Sequence, residues 1–474
     1  MPAKIPFFDP SESLQQRWRE ATSSSRITAQ LYVFVLIITI GVLRQFLYPT
    51  SSSSKPSGTF GAVSPPSEPG AEDETVGEIA ELFIYPIKSC AGVSVSAVDL
   101  TEQGFDLDRR WMVIRTAKDG KLEKISLREE PRLTLIQPVI DERANALTLR
   151  LTEAGQREEK ARTLGETVTP LRPTPSALKA WKQVPSVEMW GDYADGRVAE
   201  LPDGGTRKLS PSEWISEFLG YPVLLIHFDT TSSTARNAFP IFKPPSDSPS
   251  WSGNDLAELQ RRRGIEFQDE YPLLVASQES LDYVRSQLLA AVKAGNGGDG
   301  RGGRAITGID PLKWSDPTAL SIARFRPNIV VKGSSTTTLS AFGEDSWERI
   351  WILSHAPLDA PADPNESKAM LQLVARCQRC LLTAVDPITA ERDPSVPLKL
   401  LNRSRMRVKK SAGVQGGTGR AGPCFGMYAI PLPLSRASVR EGVYGHLQTG
   451  DAVRVRWRPY ELDDEPDRKR IAQQ

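Results

Sequence analysis

Two of the four cysteines in this 474-residue chain form a Cys-x-x-Cys pair, Cys377 and Cys380, in the stretch ARCQRCLLTAVDP (375–387). Such a pair can bind zinc, exchange disulfides, supply one thiolate to a softer redox metal, or simply pack in a core. A structural zinc site needs four ligands at defined spacings. The other cysteines and the histidines are isolated along the chain and form no second pair: Cys90, Cys424, His227, His355 and His446. The sequence therefore does not support a structural zinc site.

The redox interpretation of the pair is also weak. A thioredoxin-like motif places its cysteines at a helix N-terminus, where the helix dipole lowers a thiol pKa. The residues that follow Cys380, LLTAV, favour a strand. A single thiolate on a redox-active metal is a further interpretation, and it would require basic residues to hold the rest of an anionic cofactor. Basic candidates stand in four short motifs: Lys88, Arg109, Arg326 and Arg379. From these residues alone, a metal thiolate and buried structural cysteines both remain open.

Composition narrows the class of protein. Hydrophobic residues make up 39% of the chain and charged residues 25%, which is typical of a globular fold. The formal net charge of +1 excludes a protein whose whole surface binds nucleic acid. A Gly-rich insertion at 294–308 lacks the Lys-Ser/Thr of a phosphate-binding loop, and a basic loop at 402–422 lacks interleaved aromatic residues. Both are interpreted as insertions on the surface.

Short β-branched and aromatic runs, bounded by turn residues, dominate the chain from residue 76 onward. They predict strands that include residues 109–116, 124–140, 323–333, 348–354, 380–387 and 424–432. Helices are predicted at 210–221, which begins with a Ser cap, and at 277–292. The predicted fold class is mostly β with some α, with a barrel or sandwich in the first part and a second part that begins near 230–260.

An apolar segment at 27–48 is predicted to be a transmembrane anchor. Its uncharged run from Leu31 to Leu43 is extended by flanking apolar residues to the ~20 residues that cross a bilayer. An N-terminal segment (1–26) precedes it and a disordered linker (49–75) follows. By the positive-inside rule, the basic residues before the anchor favour an N-terminus in the cytosol. Proteins of an outer organelle membrane need not obey that rule. Four cysteines are too few for a disulfide framework in a chain of this length, so the thiols are expected to be reduced. Reduced thiols fit a folded part that faces the cytosol.

The segment before the anchor carries four basic and three acidic residues, a poor composition for a matrix presequence. A single-pass anchor in the mitochondrial outer membrane is therefore preferred, and the endoplasmic reticulum remains an alternative.

Six motifs in chain order carry a family resemblance: YPIKSC, GFDLDRRWMVI, EEPRL, FRPNIVV, EDSWERIWI and RCQRCLLTAVDPITAERD. As an ordered set they resemble the MOSC-domain proteins, in the branch of the amidoxime reducing components, over residues 76–460. The resemblance implies a MOSC N-terminal β-barrel domain (76–230) followed by a β-rich MOSC domain (240–474). It also implies a molybdenum cofactor, a pterin dithiolene with a terminal phosphate.

The resemblance assigns roles to particular residues. Cys380 matches the molybdenum ligand and catalytic cysteine, whereas Cys377 has no ligand counterpart and is expected to be structural. Asp386 is expected to organise the site or to relay protons. The expected cofactor contacts are Lys88 and Ser89 for the phosphate, together with Arg109, Arg326, Asn328, Gln378 and Arg379. The chain departs from the family pattern at Glu270 and Tyr271, at Gln378, and at Ala390, which replaces a turn glycine.

The function implied by the resemblance is reduction of N-hydroxylated compounds, such as amidoximes and hydroxylamines, by a molybdenum-dependent oxidoreductase. Only Cys424 follows Cys380, too few cysteines for an iron–sulfur domain, so an external donor is expected. The resemblance implies a b5-type cytochrome and its NADH-dependent reductase as partners. The alternative is a MOSC module that binds or carries molybdenum cofactor or sulfur without turnover.

Overall fold

Strands built from β-branched and aromatic runs make up most of the computed structural model. It describes residues 62–63, 73–158, 161, 163–189, 192–202, 209–232, 236–237, 264–295, 306–334, 337–354, 367–409, 421–459 and 462. All of them lie in one compact unit, residues 61–474. The predicted N-terminal segment (1–26), anchor (27–48) and most of the linker (49–75) lie outside the described residues, as do the centres of both insertions. Among the helices that are described, none has the length and apolar character to span a membrane.

The strands of the first half run, in chain order, as β1 (Ala62–Val63), β2 (Glu74–Ile84), β3 (Val93–Val95), β4 (Ala97–Thr101), β5 (Gly104–Phe105), β6 (Trp111–Thr116), β7 (Leu122–Lys124), β8 (Ile136–Asp141), β9 (Ala146–Leu151), β10 (Thr167–Pro170), β11 (Gln183–Met189), β12 (Asp192–Val198), β13 (Leu224–Phe228) and β14 (Arg236–Asn237). Those of the second half are β15 (Gly264–Ile265), β16 (Leu273–Ser277), β17 (Ile329–Lys332), β18 (Thr338–Leu339), β19 (Trp347–Leu353), β20 (Ser367–Gln378), β21 (Met406–Lys409), β22 (Ala421–Leu432), β23 (Gly445–Gln448) and β24 (Ala452–Trp457).

Helices are fewer and mostly short. They are α1 (Glu153–Gln156), α2 (Pro175–Ala180), α3 (Pro211–Leu219), α4 (Gln278–Gly295), α5 (Leu398–Ser404) and α6 (Arg436–Glu441). Single turns of 3-10 helix occur at Pro131–Leu135, Pro317–Ala319, Ile322–Phe325, Gly343–Ser346 and Leu381–Ala384. Two of these turns, Ile322–Phe325 and Leu381–Ala384, flank the site described below.

A small closed barrel forms from the order β11-β12-β13-β6-β7. Its pairs are antiparallel except for β11 with β7. Inward-facing apolar side chains fill it, among them Met112, Ile114, Val187, Met189, Ile226 and Phe267. A β-barrel in the first part of the chain and a mostly β fold with some helices are therefore confirmed.

A larger sheet runs β16-β17-β2-β24-β19-β20-β22-β21, with β3 paired to β2. Because β16 also pairs with β22, the path from β16 to β22 closes on itself. β2, which precedes the small barrel in the chain, pairs with β17 and β24 of this sheet. The first strand of the folded part thus belongs to the sheet of the second part, and the turn that follows β2 is held against β17.

Both predicted helices are confirmed. The α3 helix begins at a capping box, in which Ser210 and Glu213 bond each other's backbone N–H groups, and it ends at Gly220 with φ 79°. In α4 the buried residues Leu281, Val284 and Leu288 recur at helical spacing and pack against the sheet.

The strand predicted over 380–387 is wrong. β20 ends at Gln378, and Leu381–Ala384 form a 3-10 turn. The carbonyl oxygen of Cys380 accepts hydrogen bonds from the Thr383 backbone N–H (3.1 Å) and hydroxyl (2.9 Å), so the chain turns immediately after this cysteine. The sequence LLTAV is apolar and typical of a strand. Only one of its five residues, Thr383, carries a hydroxyl that can bond back to the carbonyl of Cys380, so the pattern did not predict a turn.

Candidate functional site

One cleft gathers residues from separate stretches of the chain: the turn after β2, the loop before β6, the segment leading into β16, the turn before β17 and the end of β20. Its lining includes Lys88, Ser89, Arg109, Ser126, Arg128, Gln268, Asp269, Glu270, Tyr271, Phe325, Arg326, Asn328, Cys377, Gln378, Arg379, Cys380, Leu382, Thr383 and Tyr428. Every residue that the sequence nominated for cofactor or metal binding belongs to this set, whereas Asp386 does not.

The two cysteines of the pair occupy different environments. Cys380 is exposed at the turn after β20. Cys377 is only 4% exposed, and its Sγ accepts a hydrogen bond from Arg379 Nη1 at 2.8 Å. Burial raises the pKa of the Cys377 thiol, although the charge of Arg379 opposes this shift. A buried thiol of raised pKa is a poor ligand for an incoming metal, so of the two Cys380 is the one that can bind it.

Three cleft residues adopt a left-handed backbone that side-chain-bearing residues rarely take: Ser89 (φ 71°), Arg109 (φ 55°) and Arg326 (φ 54°). Backbone hydrogen bonds hold two of them, from Arg109 N to Tyr85 O (2.8 Å) and from Arg326 N to Ala323 O (3.1 Å). Such conformations cost of order 1–3 kcal/mol and tend to persist at functional sites. Three of the eight non-glycine residues with positive φ among those described thus line this cleft, at positions that the motifs also nominated.

Two guanidinium groups lie against one buried tyrosine, Tyr85. The Cζ atoms of Arg326 and Arg109 lie 4.1 and 4.7 Å from the centroid of its ring. Its hydroxyl donates to the carbonyl of Pro327 at 3.2 Å, and burial raises its pKa to about 12. Burial also lowers the pKa of Arg326 to about 10. Sequence reasoning did not nominate Tyr85, although it is the first residue of YPIKSC and supports both cations.

Donors without a partner among the described residues test whether the cleft fits an anionic cofactor. Arg326 Nη2, Arg379 Nε and Gln378 Nε2 are buried N–H groups with no acceptor. An unsatisfied buried donor costs about 1–3 kcal/mol, a cost that a ligand with oxygen or nitrogen acceptors removes. Gln378 lies directly over Gly422, where a Cβ atom would come within 1.8 Å of its Nε2. These donors, together with an exposed thiol, fit an anionic, metal-bearing ligand.

The lysine that lines the cleft, Lys88, is buried, with 6% of its surface exposed. Its Nζ donates to the carbonyl of Phe267 (2.7 Å) and pairs with Asp269 Oδ1 (2.5 Å). Burial lowers the pKa of Lys88 to about 8, even though Asp269 opposes that shift. Its charge is thus held at a fixed point, as the phosphate contact that the resemblance assigns to Lys88 requires.

Asn328 has a positioning role in this structure. Its Oδ1 accepts from Arg109 Nη1 (3.1 Å) and from the Leu274 backbone N–H (3.1 Å). Its Nδ2 donates to the carbonyl of Phe83 at 3.2 Å. The amide therefore ties β2, β16 and Arg109 together, and it has a second Nδ2 N–H that could still contact a cofactor.

Asp386 lies outside the cleft lining, in the loop that follows the 3-10 turn. Its Oδ1 accepts from the backbone N–H groups of Ile388 (2.8 Å) and Thr389 (3.1 Å), and its other oxygen pairs with Arg324. The contacts of Asp386 thus organise the loop after the 3-10 turn. A proton relay by this carboxylate stays a prediction.

Ala390 adopts φ 62° in this same loop, at the position where the family pattern has a turn glycine. We expect Ala390→Gly to raise the free energy of unfolding by about 0.5–1 kcal/mol, because glycine removes the left-handed strain while only one partly buried methyl group is lost. Thermal unfolding measures the effect. Ala177→Gly in α2, at an ordinary helical position, is the matched control and should destabilise by about 1 kcal/mol. A loss of stability in both variants would contradict the prediction.

No group of three or more His, Cys, Asp or Glu side chains that could hold a metal ion is found within the part of the chain that the structure describes.

Comparison with known proteins gives matches to two family descriptions. Residues 76–222 match the MOSC N-terminal beta barrel domain, and residues 262–454 match the MOSC domain. The chain is 28% identical over 378 residues to mitochondrial amidoxime-reducing component 1 of Homo sapiens, covering 78% of this chain and 83% of that protein. The protein of the same name from Mus musculus is 27% identical over 360 residues, 75% of this chain and 78% of the relative.

A second type of relative is the molybdenum cofactor sulfurase of Danio rerio. It is 27% identical over 364 residues, which cover 75% of this chain but 34% of that protein.

Proposed function

The chain belongs to the MOSC-domain family, and from this premise we propose that it is a molybdenum-cofactor-dependent oxidoreductase that reduces N-hydroxylated compounds, such as amidoximes and hydroxylamines, to amidines and amines. The names of its amidoxime-reducing relatives support the reaction class. The observation that carries the proposal is the exposed thiol of Cys380 beside a cleft in which Arg379, Arg326 and Gln378 each hold a buried N–H group that has no partner in the part of the chain that the structure describes.

Different residues of the cleft would bind different parts of such a cofactor. Lys88 and Ser89 would bind its phosphate, while Arg109, Arg326 and Arg379 would bind its anionic and acceptor edges. Cys380 would ligate the metal through its thiolate. When bound, the cofactor supplies a metal centre capable of two-electron reduction of an N–O bond. The chain would orient that centre through these contacts. Because Cys380 is exposed, substrate would approach from the open side of the cleft.

Electrons are proposed to come from a separate b5-type cytochrome and its NADH-dependent reductase. Such a donor would have to approach the exposed side of the cleft. The proposed anchor at 27–48 would hold the enzyme on a membrane surface, the mitochondrial outer membrane by preference, with its folded part in the cytosol. Partners on one surface meet at a raised effective concentration. The word mitochondrial in the names of several relatives is consistent with this location.

The second candidate is a MOSC module that carries molybdenum cofactor or sulfur without reducing substrate. The match to a cofactor sulfurase favours it, because that match also spans both domains of this chain.

Purification of the full-length chain from a cofactor-competent host tests both candidates. We expect molybdenum and pterin to copurify near one per chain, and benzamidoxime to be reduced to benzamidine when cytochrome b5, its reductase and NADH are added. Cofactor without reduction would favour the carrier. Protein that is folded and free of both molybdenum and pterin would refute the two proposals together.

A further inference from the structure

A buried ring, that of Tyr85, lies behind two of the arginines that line the cleft. Tyr85 is 1% exposed and is not part of the cleft lining, whereas Arg109 and Arg326 are. The Cζ atoms of the two arginines lie over its ring, at 4.7 and 4.1 Å from the centroid. Two positive charges held this close repel each other, and the negative faces of the ring offset part of that repulsion. One side chain outside the cleft thus contacts two cations that face into it.

Hydrogen bonds hold each guanidinium in place and leave N–H groups for a ligand. Arg109 Nη1 pairs with Asp108 Oδ2, and Asp108 Oδ1 accepts from the Tyr85 backbone N–H at 2.8 Å. Arg326 Nη1 donates to the carbonyl of Cys90 at 2.8 Å, while its Nη2 is buried without a partner among the described residues. The same short network therefore fixes the ring and both guanidinium groups relative to one another.

A glycine, Gly92, packs against the ring. A Cβ atom at this position would come within 2.6 Å of Tyr85 Cε1, 3.1 Å of Cδ1 and 3.3 Å of Cζ. The backbone of Gly92 does not itself require glycine, since it is absent from the described glycines of positive φ. Space for the ring is therefore what excludes a side chain at Gly92, and any larger residue would displace Tyr85.

We propose that Tyr85 is a positioning residue that fixes the guanidinium groups of Arg109 and Arg326 at the spacing the anionic cofactor requires. Gly92 leaves the space in which its ring lies. The inference rests on the proposed function, because it concerns the cofactor of the same site. The ring rather than the hydroxyl carries the role, since the hydroxyl donates to the carbonyl of Pro327 (3.2 Å) and contacts neither guanidinium.

The molybdenum and pterin content of the purified full-length chain tests the role of the ring. We expect Tyr85→Leu to lower both by about fivefold or more per folded chain, because two buried cation–π contacts are lost together. Tyr85→Phe keeps both contacts and should stay within about twofold of wild type. Tyr444→Leu is the matched control, since Tyr444 is also 1% exposed and lies outside the cleft lining. It should lower the melting temperature and leave cofactor content unchanged.

Gly92→Ala displaces the ring without removing it. We expect this variant to lower cofactor content by about threefold or more, since a displaced ring loses part of both cation–π contacts. Gly196→Ala creates the same crowding in the small barrel, where its Cβ would come within 2.7 Å of Ile226 Cδ1. This second control should destabilise the chain and keep the cofactor content of wild type.

A double substitution separates positioning from a general loss of stability. In an Arg326→Met background, Tyr85→Leu should lower cofactor content by a smaller factor than in wild type, because one of the two guanidinium groups that it positions is already gone. A role in stability alone would give the same factor in both backgrounds.

Equal cofactor content in wild type, Tyr85→Leu and Gly92→Ala overturns the inference even if benzamidoxime is reduced. Losses of the same size in the two control variants overturn it as well. If Tyr85→Leu yields no folded protein, the comparison of Gly92→Ala with Gly196→Ala decides. Cofactor content that depends on Tyr85, without any reduction of benzamidoxime, would leave the inference standing and refute the proposed reductase. Folded wild-type protein without molybdenum and pterin would refute both.

Discussion

Cys380→Ser is expected to lower benzamidoxime reduction by about 100-fold or more, since the loss of residues that only orient metal ligands already costs about 10–100-fold, whereas Cys377→Ser should keep most of the activity. The two cysteines are three residues apart and differ in what surrounds them. Cys380 is exposed at the turn after β20, so its thiolate can reach a metal from the cleft. A serine oxygen is a harder and weaker electron donor than a thiolate, so it would not reproduce the electron donation of Cys380 to the metal.

The tolerance expected at position 377 follows from the contacts of that thiol. Cys377 Sγ accepts a hydrogen bond from Arg379 Nη1 at 2.8 Å, and Arg379 Nη2 donates to the carbonyl of Phe325 at 2.7 Å. A serine hydroxyl also accepts hydrogen bonds, so Arg379 should remain in position. Burial raises the pKa of Cys377, which means that its thiol is protonated and contributes no thiolate to lose.

Steady-state rates, normalised to molybdenum content, measure the difference between the two variants. Normalisation separates loss of the ligand from loss of the whole cofactor. An active Cys380→Ser protein beside an inactive Cys377→Ser protein with full cofactor content would reverse the ligand assignment.

The sequence contained enough information to nominate the residues of the site but not to place them in space. Lys88, Arg326 and Arg379 are separated by up to 291 residues along the chain, yet all three line one cleft. Their motifs are local, and the order of the motifs along the chain was enough to single out these residues. The closure of β2 against β17 and β24 depends on pairing between distant strands, and a single sequence carries little information about that pairing.

Local patterns did not predict several features of the site. The turn after Cys380 is closed by the backbone N–H and the hydroxyl of Thr383, one polar residue within an apolar run. The left-handed backbone of Ser89 and Arg109 is imposed by the surrounding fold, since residues with side chains disfavour it intrinsically. The amide of Asn328 is bound by backbone groups of two other strands, a positioning role that the motif did not indicate, while its role as a cofactor contact stays a prediction. At Ser89, Arg109 and Asn328, tertiary contacts thus override or add to the local preference, whereas the turn after Cys380 is closed by local hydrogen bonds.

Arg326→Met is expected to lower the molybdenum and pterin content of the purified chain by at least about tenfold, the effect of losing a charged donor to an anion. The Nη1 of Arg326 donates to the carbonyl of Cys90 at 2.8 Å, while its Nη2 is buried without a partner among the described residues. Arg326→Lys keeps a positive charge near Tyr85 and one donor, but it loses the fork that serves both acceptors. Its cofactor content should therefore lie between those of wild type and Arg326→Met.

Arg324→Lys is the matched control, because Arg324 is a buried arginine two residues away that does not line the cleft. It pairs with Asp386, and its Cζ lies 5.4 Å from the centroid of the Trp314 ring. This variant should lose about 1–3 kcal/mol of stability, since it disturbs a buried ion pair, while its folded fraction retains the cofactor content of wild type. Metal and pterin analysis together with thermal unfolding separates the two effects. If cofactor content fell equally in Arg324→Lys and Arg326→Met, the loss would follow stability rather than the unpaired donor, and the assigned role of Arg326 would be wrong.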